Sequence, residues 1–105
     1  MRFVETAIFT AAVRRHLDDE QYRQLQIALM LRPEQGPVIK GAGGLRKVRW
    51  ARPGSGKRGG LRVIYVWFAA EQAFFMLYAY SKADQGELTP AQTKALSRVA
   101  REELS

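Results

Sequence analysis

Lys47 and Arg49 alternate with Val48 and Trp50, Arg62 stands near the start of a second apolar run, and Tyr78, Tyr80 and Lys82 share a parity at the end of a third. Successive side chains of a strand point to opposite faces, so Lys47 and Arg49 are expected on one face with Val48 and Trp50 on the other. If the first two runs pair in register, Arg62 falls near them, because Arg49 and Arg62 lie about equally far from the centre of the intervening glycine-rich loop. The expected result is a sheet face of four cations and two phenols. Fixed positive charge of this kind stabilises the negative charge that builds on a phosphate during transfer. Proton transfer would fall to a Tyr, or to a Lys whose pKa is lowered by its cationic neighbours. RNA carries its own nucleophile, the 2′-hydroxyl, so such a site can cleave RNA and not DNA. The parity of Arg62 stays open: Ile64, Val66 and Phe68 share its face while Val63, Tyr65 and Trp67 occupy the other, as in a central strand buried on both sides.

The charge distribution points to the same polyanion. Between Gln35 and Ala70 the chain carries eight basic residues (Lys40, Arg46, Lys47, Arg49, Arg52, Lys57, Arg58 and Arg62) and no Asp or Glu. The net charge is +7, so this third of the sequence holds essentially all of it. Solubility alone does not require every acid to be excluded from a stretch, whereas a nucleic-acid footprint does. Within it, Gly54-Ser55-Gly56-Lys57-Arg58-Gly59-Gly60 resembles a phosphate-binding P-loop only superficially. Arg58 follows the lysine where Ser or Thr is needed, the upstream glycine spacing is wrong, and the segment runs into a strand and not a helix. Lys57 and Arg58 suit a hairpin tip that contacts an RNA backbone, fixing position without reading sequence, and Arg46 is counted with them as RNA-binding.

Other chemistries are poorly supplied. The chain has no cysteine, which excludes disulfides, Cys-based zinc sites and a thiol nucleophile. His16 is the only histidine, and its place near the end of a helix suits a C-terminal cation. Asp18, Asp19 and Glu20 read as a helix start, and no spacing resembles a metal-ligand set, so neither metal nor cofactor is expected. The longest apolar run, Val63 to Ala70, is far too short to cross a membrane. A cytoplasmic protein without a membrane partner is expected. At 105 residues, residues 1–105 are expected to form one domain with one core.

The elements that must position these groups are legible in outline. Phe3 and Val4 suit a short strand. Ala7 to Leu17 reads as a helix with Ile8, Ala11, Ala12 and Leu17 on its apolar face. Asp18, with Gln21 three residues on, predicts a capping box, and Tyr22, Leu25, Ala28 and Leu29 carry a second helix to Leu31 before Pro33 stops it. After a glycine-rich loop from Pro37 to Gly44, strands are expected over Leu45 to Ala51, Leu61 to Ala69 and Ala73 to Ser81. Hairpins through Pro53 to Gly60 and near Ala70-Glu71-Gln72 would join them. Thr89-Pro90-Ala91-Gln92 predicts a second capping box, closed by Gln92, and a last helix with Ala95, Leu96 and Val99 facing inward. The expected architecture is α+β: a strand, two helices, an antiparallel three-strand meander and a final helix, with the helices on one sheet face.

The runs Gly41 to Ala51, Gly54 to Tyr65 and Tyr78 to Lys82, in this element order, resemble the RelE/ParE superfamily of bacterial toxins, and most closely the HigB-like branch of RelE toxins of type II toxin–antitoxin pairs. The resemblance covers nearly the whole chain, and the Gly56-Lys57-Arg58-Gly59-Gly60-Leu61-Arg62-Val63-Ile64-Tyr65 stretch is its most specific part. It implies a RelE fold and a ribosome-dependent mRNA endonuclease, or mRNA interferase, that inhibits translation and is held in check by a cognate antitoxin. Its partners would be that antitoxin, mRNA and the ribosome. It further implies Lys47, Arg49, Arg62 and Lys82 as charge stabilisers, with Tyr80 or Lys82 as the candidate for proton transfer. Ala83 departs from the pattern, standing where RelE itself has a catalytic arginine, and the late catalytic tyrosine of RelE has no clear counterpart. The ParE branch shares the fold and poisons DNA gyrase, and a module of this fold that only binds nucleic acid is the other alternative.

If Lys57 and Arg58 are RNA-positioning groups, replacing both by Ala should weaken RNA affinity and flatten its salt dependence by about 0.7 slope units per lost single-strand phosphate contact. Titrations at several salt concentrations measure this, and an unchanged slope would remove the pair from the interface.

Overall fold

A computed structural model describes residues 1–51 and 60–104. The elements are β1 (Arg2–Glu5), α1 (Ala7–His16), α2 (Asp19–Leu31), β2 (Arg46–Trp50), β3 (Leu61–Phe68), β4 (Ala73–Ser81) and α3 (Pro90–Leu104). The expected α+β order is present, and the strand and helix limits match the sequence pattern to within a residue or two at most ends. The hairpin expected over Pro53 to Gly60, with Lys57 and Arg58, lies almost wholly outside the described residues. A single 3-10 turn at Ala69–Glu71 makes the β3–β4 connection.

The four strands run in the order β1-β4-β3-β2. β2, β3 and β4 are antiparallel, and β1 adds in parallel at the far edge, pairing Phe3 with Phe74 and Val4 with Phe75. The sequence predicts all the helices on one face, but they cover both. One face of the sheet packs Val63, Tyr65, Phe74 and Met76 against Phe9, Val13, Leu25 and Leu29 of α1 and α2. The other packs Ile64, Val66, Phe75 and Leu77 under Ala100, Leu96 and Val99 of α3 and under Leu45 and Ala42 of the glycine-rich loop. Covering both faces is why β3 and β4 read as nearly unbroken apolar runs.

Both predicted capping boxes form. Asp18 accepts from the Gln21 backbone N–H at 2.8 Å while the Gln21 side chain accepts from Asp18 N–H at 2.9 Å. Thr89 and Gln92 do the same for α3 at 3.1 and 3.0 Å. The phase of α1 differs from expectation: Phe9, Ala12 and Val13 face the sheet, and Ile8 is 66% exposed. Thr6 sets that phase. Its hydroxyl accepts from Phe9 N–H at 3.0 Å, fixing where the first turn begins. In α3, likewise, Ala100 and not Ala95 is buried.

Tyr65 holds the segment after α2 to the sheet. Its hydroxyl donates to the Pro33 carbonyl at 2.8 Å and accepts from Gly36 N–H at 3.1 Å. A Cβ on Gly36 would lie only 3.0 Å from the Tyr65 ring and 3.1 Å from Lys47 backbone, so only glycine fits this approach.

β4 departs from regular pairing at one point. Ile64 pairs with Tyr78 and Tyr65 with Met76, leaving Leu77 as an extra residue. The same Thr6 hydroxyl that caps α1 donates to the Leu77 carbonyl at 2.9 Å, and Thr6 N–H donates to the Met76 carbonyl at 3.1 Å. One side chain thus serves both a helix cap and a bulge. Thr6→Val, which keeps the shape and loses both hydrogen bonds, should destabilise the fold by about 1–3 kcal/mol, combining a lost cap with an unsatisfied carbonyl. Thr6→Ser should recover most of that loss, with urea unfolding as the measurement.

Candidate functional site

The bulge decides which side chains meet. Phe74 and Met76 face α1 and α2, but Leu77 and Tyr78 both turn to the opposite face, and beyond them Ala79 points back and Tyr80 forward. β-Bulges commonly re-aim a strand in this way beside functional sites. On β2, Val48 packs toward α1 and α2, which leaves Lys47 and Arg49 on the face shared with Tyr80. Arg62 shares that face too, having the parity of Ile64. The register aligns two rows across the sheet: Arg49, Arg62 and Tyr80, and beside them Lys47, Ile64 and Tyr78.

The groups in these rows are held differently. Arg49 is exposed and Lys47 half-buried. Arg62 is 8% exposed, donates from Nη1 to the Gly60 carbonyl at 3.1 Å, and has no acidic partner among the described residues. Tyr80 is 2% exposed, and its hydroxyl has no hydrogen-bond partner among the described residues. Burial pushes the Tyr80 phenol above its ordinary value, opposed in part by Arg62 and Arg49 and reinforced by Glu87. Tyr80 is therefore neutral at physiological pH, a proton donor and not a base.

Two cavities open beside the rows. A pocket of about 90 Å³ is lined by Ile39, Lys47, Tyr80, Glu87, Leu88 and Thr93. A wider groove of about 540 Å³ runs along the outer edge of β2, between Lys47 and Arg49 on one side and Arg32, Pro37 and Val38 on the other. Lys47 belongs to both.

Not every expected residue joins this face. Arg46 has the parity of Val48 and commits Nη1 to the carbonyls of Glu34 and Gly36, at 3.2 and 2.9 Å. Lys82 lies just past β4, exposed, in the turn where Asp84 N–H and Gln85 N–H return to the Ser81 carbonyl. His16 ends α1, with Nε2 3.3 Å from Asp84 Oδ2. Among the described residues, no three His, Cys, Asp or Glu side chains cluster as a metal site, and no helix is long and apolar enough to cross a membrane. The sequence reading missed Glu87 and Arg32. Glu87 stands two residues before the Thr89 cap, where an acid reads as ordinary charge at a helix start. Arg32 sits at the C-cap of α2 with no periodic signal.

Arrayed cations beside a buried neutral phenol can bind a phosphodiester and stabilise its transition state. Comparison with known proteins adds the ancestry. A family model for the RelE toxin of the RelE/RelB toxin–antitoxin system matches residues 1–105. A chain of the intact E. coli RelBE toxin–antitoxin complex superposes with a TM-score of 0.54 at 15% identity, over 75% of this chain and 93% of that one. E. coli toxin RelE, solved in the free state as a double mutant, superposes with a TM-score of 0.52 at 15% identity, over 94% of each chain.

The unpartnered Tyr80 hydroxyl has a measurable consequence. Tyr80→Phe removes a buried polar group that lacks a partner among the described residues, so it should leave stability unchanged or raise it by about 1 kcal/mol. A folded phenol held above 10.0 contributes stability that is complete below the unfolded value and lost as pH rises past it. Tyr80→Phe should therefore also lessen the fall in stability between about pH 9 and pH 11. Denaturation series across that range test both, and a clear destabilisation at neutral pH would mean that the hydroxyl is satisfied in solution.

Proposed function

The chain belongs to the RelE toxin family of RelE/RelB toxin–antitoxin systems, and from that premise we propose that it is a ribosome-dependent mRNA endoribonuclease acting in the cytoplasm under control of a cognate antitoxin. Within the family we assign it to the HigB-like branch, on the stretch from Gly56 to Tyr65. The observation that carries the reading is the row Arg49, Arg62 and Tyr80, flanked by Lys47 and set in an acid-free basic segment.

In this reading the 2′-hydroxyl of the ribose attacks the adjacent phosphorus, and the 5′-oxygen leaves. Arg62 stabilises the phosphorane-like transition state from a fixed position on the central strand, where its burial limits reorganisation. Arg49 and Lys47 hold the phosphodiester at the rim. Lys82, exposed in the turn just past β4, adds charge from beside the face, and Tyr80 acts as a proton donor. Lys57, Arg58 and Arg46 contribute to RNA positioning. The antitoxin blocks the site or prevents ribosome entry. That neighbour of similar fold in the RelBE complex supports a partner of this kind.

Expression of the chain without an antitoxin should arrest growth and generate new mRNA 5′ ends within translated frames. Primer extension on ribosome-bound message is the measurement. Arrest with intact message and gyrase trapped on broken chromosome would replace this reading with the ParE one. A folded Arg62→Ala variant should cleave roughly 10²-fold more slowly or worse, the scale of losing one preorganised electrostatic group, with ribosome binding little changed. Cleavage at the parent rate would make Arg62 structural.

A further inference from the structure

Cleavage of RNA through its 2′-hydroxyl needs a group that accepts a proton as well as one that gives it. The cationic face offers few acceptors. Arg49 and Arg62 are permanently protonated, and Lys47 and Lys82 are ammonium groups whose value here is their charge. Tyr80 is held in its neutral form by burial. His16, the only histidine, lies at the end of α1 against Asp84. Tyr22 is bonded to Glu5 at 2.7 Å, outside both catalytic-face rows.

One carboxylate does line the pocket. Glu87 enters it from the segment leading into α3, together with Lys47 from β2, Tyr80 from β4, and Thr93 from α3. Its side chain makes no hydrogen bond or ion pair among the described residues, and only its backbone carbonyl is used, accepting from Gln85 Nε2 at 2.8 Å. Its charge is felt at Tyr80. An acid lining a pocket beside a phosphate-binding face opposes substrate binding through like-charge repulsion, so its presence there calls for a compensating role.

We propose that Glu87 is the general base of this site, which rests on the ribonuclease reading above. The Glu87 carboxylate takes the proton of the ribose 2′-hydroxyl as its oxygen bonds to phosphorus. The bond from phosphorus to the 5′-oxygen breaks, and the Tyr80 hydroxyl, lining the same pocket, gives that oxygen its proton. The products are a 2′,3′-cyclic phosphate and a free 5′-hydroxyl, with one proton gained by Glu87 and one lost by Tyr80. No external oxidant, metal or water enters the balance.

The test is single-turnover cleavage of ribosome-bound mRNA by the parent, Glu87→Gln and Glu87→Asp across a range of pH. Glu87 is exposed, so both variants should fold, which thermal unfolding would verify. Glu87→Gln should bind ribosomes as well as the parent or better, yet cleave about 10²–10⁴-fold more slowly, the range for loss of a positioned base. It should also lose the fall in rate on the acid side of the profile. Glu87→Asp should keep that acid limb at a reduced rate. A Glu87→Gln variant that cleaves at the parent rate with the parent profile overturns the role, as does one that cleaves faster, which would make Glu87 a simple counter-charge. Failure of the parent itself to cleave would instead overturn the ribonuclease reading, and the base with it.

Discussion

The extra residue in β4 is the constraint on which the site depends. If the nine residues of β4 alternated strictly, with no bulge at Leu77, Tyr78 and Tyr80 would share the face of Phe74 and Met76, buried against α1 and α2. With it, both phenols turn to the face of Lys47, Arg49 and Arg62. A bulge leaves backbone groups without ladder partners, and an unsatisfied buried carbonyl is expensive. Thr6 resolves this by donating its hydroxyl to the Leu77 carbonyl while the same oxygen caps α1. The start of the first helix, the register of the central strand and the aim of the proposed proton donor are therefore linked through one side chain.

Arg62 shows what that arrangement opposes. It is a guanidinium almost withdrawn from water on a strand between two apolar layers, beside Arg49 in the neighbouring strand and without an acidic partner among the described residues. Burying an unpaired charge is unfavourable, and like charges opposite each other in a sheet add to the cost. A fold selected only for stability has no use for such a position. A site that must meet a phosphodiester does, because the bound phosphate supplies the missing negative charge and a pre-positioned cation need not reorganise when charge builds. Tyr80, with a buried hydroxyl lacking a partner among the described residues, belongs to the same class of locally unfavourable features that gather at functional sites.

Much of the fold was legible because it follows from local rules. The two capping boxes were readable from Asp18 with Gln21 and Thr89 with Gln92, since each depends on residues three apart. The strands were readable from β-branched and aromatic runs bounded by glycine and turn residues. What was illegible depends on tertiary relations. The placement of α3 on the face opposite α1 and α2 leaves no mark on α3 beyond its own apolar stripe. The phase of α1 was misread because Ile8 is as apolar as Phe9, and the choice between them is made by the Thr6 cap and by the sheet. The side of Arg62 could not be settled by parity, since both faces of β3 are apolar. Lys47, Arg49, Arg62 and the two phenols were expected on one face, but Tyr78 and Tyr80 reach it through a bulge that no residue type announces, and Lys82 lies beyond the strand.

The electrostatics of the site are divided between distant parts of the chain. The segment from Gln35 to Ala70 supplies cations and excludes acids altogether, which builds a field for the polyanion. An acid within that segment would lie on the same or an adjacent strand as the cations and pair with them, weakening the field and losing its own basicity. Glu87 instead arrives from the connection between β4 and α3 and reaches only the small pocket at Lys47 and Tyr80. In the proposed reaction this arrangement keeps attraction broad and proton acceptance local. A carboxylate so placed still opposes substrate binding, but the cations spread over the whole rim offset that repulsion in part, while its effect on a hydroxyl in contact with it is undiminished, since electrostatic influence falls with distance and with intervening solvent.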